Sequence, residues 1–249
     1  GPPREFTPLV TDEIVPFLNK NFESSNKDYE FVLFYNQAES SLAQEIDKFK
    51  PKNLDIAYLA SNGIIKLRYD KNSIQSKDLI NFKNNIKNKL NDYILTTENI
   101  PASKVLLNIL DENKLTISLV ESVTGGNLAS ALVNHPGASK ALVASNILYT
   151  IEAKEEFLKS EISKDWNTLT ENLAKSSNLK YNTKISLAIL GEAGPIPSSS
   201  NKIGQIFISI ATDSKTETYE HTLRGSREEI INRSVNKAIW DLIKFIKKL

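Results

Sequence analysis

The chain has 249 residues, 40% of them hydrophobic and 24% charged, with 31 basic and 30 acidic side chains giving a formal net charge of +1. That length fits one large or two modest domains of a soluble globular protein, and the balanced charge carries no electrostatic footprint for nucleic acid. The absence of cysteine excludes disulfides, a thiol nucleophile and iron–sulfur clusters, and two histidines, His135 and His221, cannot make a three-histidine metal centre. No apolar run reaches the ~20 residues of a membrane span and no charged-then-apolar leader opens the chain, so a cytoplasmic protein is expected. Residue 1 is Gly rather than Met and is expected to be a cut edge.

The first stretch is turn-rich (Gly1-Pro2-Pro3, Pro8) and then helical from Asp12 to Asn21, with a loop at Ser24-Ser25-Asn26-Lys27. The compact apolar run Phe31–Tyr35 reads as a buried strand and Glu39–Phe49 as a helix, with Leu42, Ile46 and Phe49 at helical spacing. Ile56–Ala60 and Ile64–Tyr69 flank Ser61-Asn62-Gly63 as a hairpin. Ile74–Ile94 carries Leu79, Phe82, Ile86, Leu90 and Ile94 along one helical face, so residues 31–96 form a small α+β module.

From residue 97 a second domain is expected. A helix is marked by Val105, Leu106, Ile109 and Leu110, followed by a strand at Leu115–Val120, a glycine turn, and a helix at Asn127–Val133. A strand at Ala141–Tyr149 precedes helices near 151–160 and 168–179 and the strand Lys184–Leu190. A Gly/Pro/Ser-rich loop, Gly191–Lys202, leads to two antiparallel strands, Ile203–Thr212 and Glu217–Leu223. Ser226 with Glu229 forms a capping box before a last helix with a wide apolar face. Strands alternating with helices define a layered α/β domain with a mixed sheet.

The candidate chemistry starts at Glu121-Ser122-Val123-Thr124-Gly125-Gly126, where a strand ends and a helix begins. Free N–H groups at such a turn suit a phosphate or a developing oxyanion, while an ordinary turn capped by Ser122 or Thr124 has the same residue types. Lys154, with Tyr149 at the preceding strand end, is a candidate general base for a serine if burial lowers its pKa; a solvated surface lysine is the plainer alternative. Gly191-Glu192-Ala193-Gly194-Pro195 can bring backbone close to a ligand or merely turn the chain, and Arg227 can clamp a phosphate or carboxylate or sit exposed at a helix start. His135 reads as a surface turn residue, and neither histidine is assigned a role.

These residues resemble the C-terminal domain of the CinA (competence/damage-inducible) family, also found alone as nicotinamide mononucleotide amidohydrolase. The matches fall in family order: the Glu121–Gly126 turn, Pro136-Gly137-Ala138-Ser139, Tyr149 with Lys154, Gly191 through Pro195, Lys202-Ile203-Gly204, and Gly225-Ser226-Arg227. Upstream, Gly1–Glu5 resembles the motif closing the family's molybdopterin-binding-like first domain, so residues 1–30 would be its tail and linker. Ala38–Ala43 and Ala57–Ala60 resemble its KH-like middle module, although Ala60-Ser61-Asn62-Gly63 lacks the first glycine of a Gly-x-x-Gly clamp.

The resemblance implies deamidation of nicotinamide mononucleotide to nicotinic acid mononucleotide and ammonia, a step of NAD recycling. It needs no metal or other cofactor. Ser122 would attack the amide carbon, and Lys154, helped by Tyr149, would move the proton. Gly125 and Gly126 amides would hold the oxyanion or the phosphate, with Arg227 positioning the substrate and Glu121, Thr124, Gly191, Ala193 and Gly194 completing the pocket. An oxyanion donor contributes roughly 3–4 kcal/mol and acid–base help ~10²–10⁴ in rate. The implied partners are a pyridine mononucleotide and further copies of the chain, with no membrane and no nucleic acid. The sequence departs from the family pattern at Leu190 (usually Thr), acidic Glu192, Thr150-Ile151 (usually Ser-Asn), Ala144-Ser145 (usually Gly) and Ile231 (usually Arg). A carboxylate at Glu192 repels an anionic substrate, so the alternative is a nucleotide-binding or scaffolding protein with a decayed site.

Overall fold

The computed structural model describes residues 2–22, 27–197 and 201–249. The loop expected at Ser24-Ser25-Asn26 and the Ser198–Ser200 part of the polar loop lie outside the described residues. Helix α1 (Pro3–Pro8) runs through a π-helical stretch, Leu9–Ile14, into α2 (Val15–Asn21). The turn expected up to Pro8 is therefore helical: proline suits the first position of a helix, where its missing N–H is not needed.

A four-stranded antiparallel sheet follows, ordered β2 (Ile56–Ser61), β3 (Ile64–Asp70), β1 (Tyr29–Tyr35), β4 (Ile94–Thr96). Helices α3 (Glu39–Asp47) and α4 (Ser76–Leu90) complete a β-α-β-β-α-β unit of split βαβ type. The helix expected to reach Ile94 stops at Leu90, and Ile94 instead opens β4, pairing with Phe34. Asn62 and Gly63, at φ 48° and 82°, form the two-residue turn that joins β2 to β3.

Strand β1 is buried on both faces because its residues alternate. Val32 and Phe34 join Leu42, Ile46, Phe82, Ile86 and Leu90 in a core beneath the two helices. Leu33 and Tyr35 point the other way and enter the larger core of the second sheet, where the Tyr35 ring lies 5.3 Å from that of Trp240.

The second sheet is mixed, in the order β6 (Leu142–Ile147), β5 (Ile117–Glu121), β7 (Ile185–Gly191), β8 (Gln205–Ala211), β9 (Thr216–Thr222). Strands β6, β5 and β7 are parallel, and β8 and β9 continue antiparallel. Ile117, Leu119, Ile185, Leu187, Ile189, Ile206, Ile208 and Ile210 line one face, packing with α5 (Ala102–Glu112), α6 (Asn127–Val133) and α9 (Arg227–Ile246). The opposite face, under α7 (Ile151–Leu158) and α8 (Trp166–Tyr181), is built of smaller residues: Val120, Ala188, Ala211 and buried serines. Ser177 Oγ donates to Ser118 Oγ at 2.8 Å, and Ser186 Oγ to the Ala174 carbonyl at 2.6 Å, so hydroxyls seat α8 against the strands without an orphaned polar group.

Because Leu33 belongs to the smaller sheet yet is buried in the larger core, Leu33→Ala is expected to cost about 2–5 kcal/mol of unfolding free energy. Urea unfolding followed by tryptophan fluorescence measures this, and a loss below ~1 kcal/mol would contradict the shared packing.

Candidate active site

Strand β5 ends in Glu121, which is fully buried, and the chain then turns through Ser122–Gly126 into α6. The Glu121 carboxylate accepts hydrogen bonds from Thr124 Oγ1 (2.7 Å) and from the amides of Gly126 (3.1 Å), Leu128 (3.0 Å) and Ala129 (2.8 Å). Ser145 Oγ adds a longer bond of 3.3 Å. The chain's own carboxylate thus occupies the start of α6, where unpaired N–H groups favour negative charge.

This revises the expectation for Gly125 and Gly126. The Gly126 amide donates to Glu121 and the Gly125 amide to the Ser122 carbonyl (3.1 Å), so neither is free for an oxyanion or phosphate. Val123 and Thr124 carry the amides of this turn that have no hydrogen-bond partner among the described residues. Gly126 is needed for its backbone: its φ is +95°, and a Cβ there would stand 2.8 Å from Ile147 Cδ1.

Ser122, Tyr149, Lys154, Gly191, Ala193 and Arg227 line one cavity of about 440 Å³ at the carboxyl ends of β5, β6 and β7. That is the crevice where open α/β sheets hold ligands, here where the chain leaves β5 toward α6 on one face and β6 toward α7 on the other. Glu121, Thr124, Gly125, Gly126 and Gly194 do not line the cavity. A Cβ on Gly191 would meet Ile206 Cδ1 at 2.4 Å and the Gln205 carbonyl at 2.8 Å, so β7 can reach the cavity beside β8 only with glycine there.

Lys154 is buried, and its Nζ donates to the carbonyls of Tyr149 (3.2 Å) and Thr150 (3.1 Å). Burial holds its ammonium below the ordinary lysine value, and the carboxylate of Glu152 partly restores it. The alternative of a solvated surface lysine is thereby removed. Tyr149 meets Lys154 through its backbone; its hydroxyl accepts from Arg227 Nη2 at 2.7 Å instead. Arg227 Nη1 donates to the Gly194 carbonyl at 2.6 Å, so this guanidinium ties the ends of three segments together. Ser226 and Glu229 form the expected capping box, which fixes Arg227 in the first turn of α9. The Ser122 hydroxyl has no hydrogen bond among the described residues.

The remaining walls are apolar and escaped sequence reading: Trp166, Ile162, Leu169 and Ile196 surround the polar groups. The signal for Trp166 is its place after the Asp165 cap of α8. Of the departures, Leu190 packs in the layer beneath α8 with Leu169 and Trp166 of the cavity wall and does not itself line the cavity. Thr150 caps α7 by accepting from the Ala153 amide (3.2 Å), and Ile151 lines the cavity. Glu192 is buried at the cavity wall, opposite in charge to Lys154 and Arg227. Both histidines lie elsewhere: His135 hydrogen-bonds Ser103 (2.8 Å) and His221 hydrogen-bonds Asp241 (2.7 Å). No group of three or more His, Cys, Asp or Glu residues able to hold a metal occurs among the described residues. No helix among them is long and apolar enough to cross a membrane.

The features define an α/β protein with a three-layer domain and a cavity holding an unengaged serine and a desolvated lysine. The CinA C-terminal domain model matches residues 99–246, and the chain belongs to the CinA family. It is 30% identical over its whole length to a CinA-like protein of Flavobacterium psychrophilum and 29% identical over 98% of its length to one of Endomicrobium trichonymphae. It spans 63% and 61% of those two proteins. Its fold is similar to that of CinA superfamily proteins from Escherichia coli (22% identity, TM-score 0.55, covering 58% of this chain and 88% of that one) and Klebsiella pneumoniae (20%, 0.55, 59% and 97%).

Glu121→Gln replaces one acceptor oxygen by an NH₂ that faces backbone donors, and is expected to destabilise the protein by roughly 1–3 kcal/mol. Thermal unfolding of the variant beside wild type measures it; an unchanged midpoint would remove Glu121 as the anchor of the turn.

Proposed function

We propose that the protein is an amidohydrolase that deamidates nicotinamide mononucleotide to nicotinic acid mononucleotide and ammonia, with Ser122 as nucleophile and Lys154 as base. The observation that carries this reading is the buried Lys154, held by two backbone carbonyls and kept below its ordinary pKa in the cavity it shares with Ser122. A serine hydroxyl needs a neighbouring base, and a lysine amine serves when it is neutral.

In the mechanism, Ser122 Oγ attacks the carboxamide carbon while the Lys154 amine takes its proton. The developing oxyanion is stabilised by the Val123 amide, which lines the cavity and has no partner among the described residues, whereas the Gly125 and Gly126 amides are already engaged. Lys154 then returns the proton to the leaving nitrogen, ammonia departs, and water releases the acid from the acyl-serine. Arg227 offers its guanidinium to the nucleotide's phosphate, and Trp166 with Ile162 gives the pyridine ring an apolar wall. CinA-family membership supports the reading at the level of the family.

A second reading, a catalytically decayed nucleotide-binding or scaffolding protein, rests on one observation: Glu192 stands on the cavity wall where the reaction would need an anionic substrate. An ammonia-coupled assay decides between them. Turnover of nicotinamide mononucleotide is expected, with Ser122→Ala and Lys154→Ala each lowering kcat at least ~10²-fold. Saturable binding without ammonia release would establish the second reading instead.

The rate should rise with pH as Lys154 loses its proton, because only the neutral amine accepts one, and this limb lies below the ordinary lysine value of 10.5. Glu152 raises that pKa, so Glu152→Gln is expected to move the rising limb to lower pH. A pH–rate profile of both proteins tests the shift, and a limb that stays or moves upward would remove Lys154 as the titrating base.

A further inference from the structure

A second cavity, of about 540 Å³, lies between the small antiparallel sheet and the edge of the large mixed one. The hairpin turn of Asn62 and Gly63 and the end of β1 form one side; the end of β9, Arg224 and the outer face of α9 form the other. Asn236 Nδ2 bridges the two by donating to the Asn62 carbonyl at 3.0 Å.

The cations around it differ in how fully they are paired. Lys237 is neutralised by Asp241 (2.8 Å), whose other carboxylate oxygen accepts from His221 Nε2 (2.7 Å). Arg224 forms no ion pair among the described residues. Arg233 spends one nitrogen on the Arg224 carbonyl (2.6 Å) and stands 3.9 Å from Glu229, while its Nε is buried without a partner. Arg233 thus shares Glu229 with the first turn of α9, while among the described residues Arg224 has no carboxylate within ion-pair distance and the one carboxylate on the cavity wall is Glu39.

Tyr35 supplies an independent observation. It is 5% exposed, lines this cavity, and its hydroxyl has no hydrogen-bond partner among the described residues. Burial and the nearby Asp241 hold the hydroxyl well above its ordinary pKa, so it stays a donor.

We propose that this cleft binds a phosphate monoester, with Arg224 and Arg233 as the charged clamp and the Tyr35 hydroxyl as a further donor. The donors are too many for the two oxygens of a carboxylate and suit the three terminal oxygens of a phosphate monoester. Both sheets contribute, so the ligand would hold them in one relative position. The site is separate from the Ser122 cavity and does not depend on the reaction assigned there.

Isothermal titration of the full chain with ribose 5-phosphate and with malonate tests the proposal in an Arg227→Gln background, which removes the phosphate-directed cation of the other cavity. Saturable binding of the phosphate ester is expected, weakened at least 10-fold by Arg224→Gln, whose side chain is exposed and carries no packing, and several-fold by Tyr35→Phe. Absence of saturable binding in the Arg227→Gln protein, or affinities unchanged by Arg224→Gln, would overturn it. Malonate binding as tightly as ribose 5-phosphate would overturn the assignment to phosphate.

Discussion

The candidate active site is organised around the buried carboxylate of Glu121. An isolated carboxylate is costly to take out of water and persists inside a protein only when donors surround it. Here the donors are the Thr124 hydroxyl, three amides and the Ser145 hydroxyl. The bonds join β5, the turn, the first residues of α6 and the neighbouring strand β6 into one unit. Ser122 sits inside that unit, one residue past Glu121, so the position of its hydroxyl is set by bonds it does not itself make. The same bonds consume the electrostatic advantage of the helix start. An anionic ligand must then find its positive partner among side chains, and Arg227 is the one that reaches the cavity from the opposite segment.

Lys154 shows the complementary solution. Both groups are buried near the carboxyl end of the sheet, but Glu121 is surrounded by hydrogen-bond donors, whereas Lys154 finds two neutral carbonyls and the carboxylate of Glu152 on its own helix. Carbonyls orient the amine without repaying the loss of water around an ammonium, so the balance shifts toward the neutral form.

Much of the architecture was legible because it follows local rules. The apolar runs at β1 and β7, the Asn62-Gly63 turn and the capping box of α9 all depend on residues adjacent in sequence. Strand β4 was hidden because Ile94 continues the helical spacing of α4; only its pairing with Phe34, a contact between residues distant in sequence, selects a strand. The helix at Pro3 was hidden by its prolines, whose turn preference and helix-start preference look alike. Within the site, Ser122, Lys154 and Arg227 could be found from residue type and family order. The engagement of Gly126 by Glu121, and of the Tyr149 hydroxyl by Arg227, could not, since both are choices among several donors that only three-dimensional proximity decides.

Helix α9 connects these local arrangements. Its first residue, Arg227, reaches the Tyr149 hydroxyl and the Gly194 carbonyl, while Arg233, six residues or ~9 Å further along the axis, faces the cleft against the smaller sheet. Between them Ile230 is buried in the main core, and Arg233 returns a bond to the Arg224 carbonyl just before the helix begins. The segment from Arg224 to Arg233 is therefore held by the guanidiniums of Arg227 and Arg233 and by the packing of Ile230, and it borders both cavities. The smaller sheet touches α9 beyond this segment, where Asn236 donates to the Asn62 carbonyl, and shares its core through Leu33 and Tyr35. Its contribution to the candidate active site is indirect but physical: it braces the helix that presents Arg227.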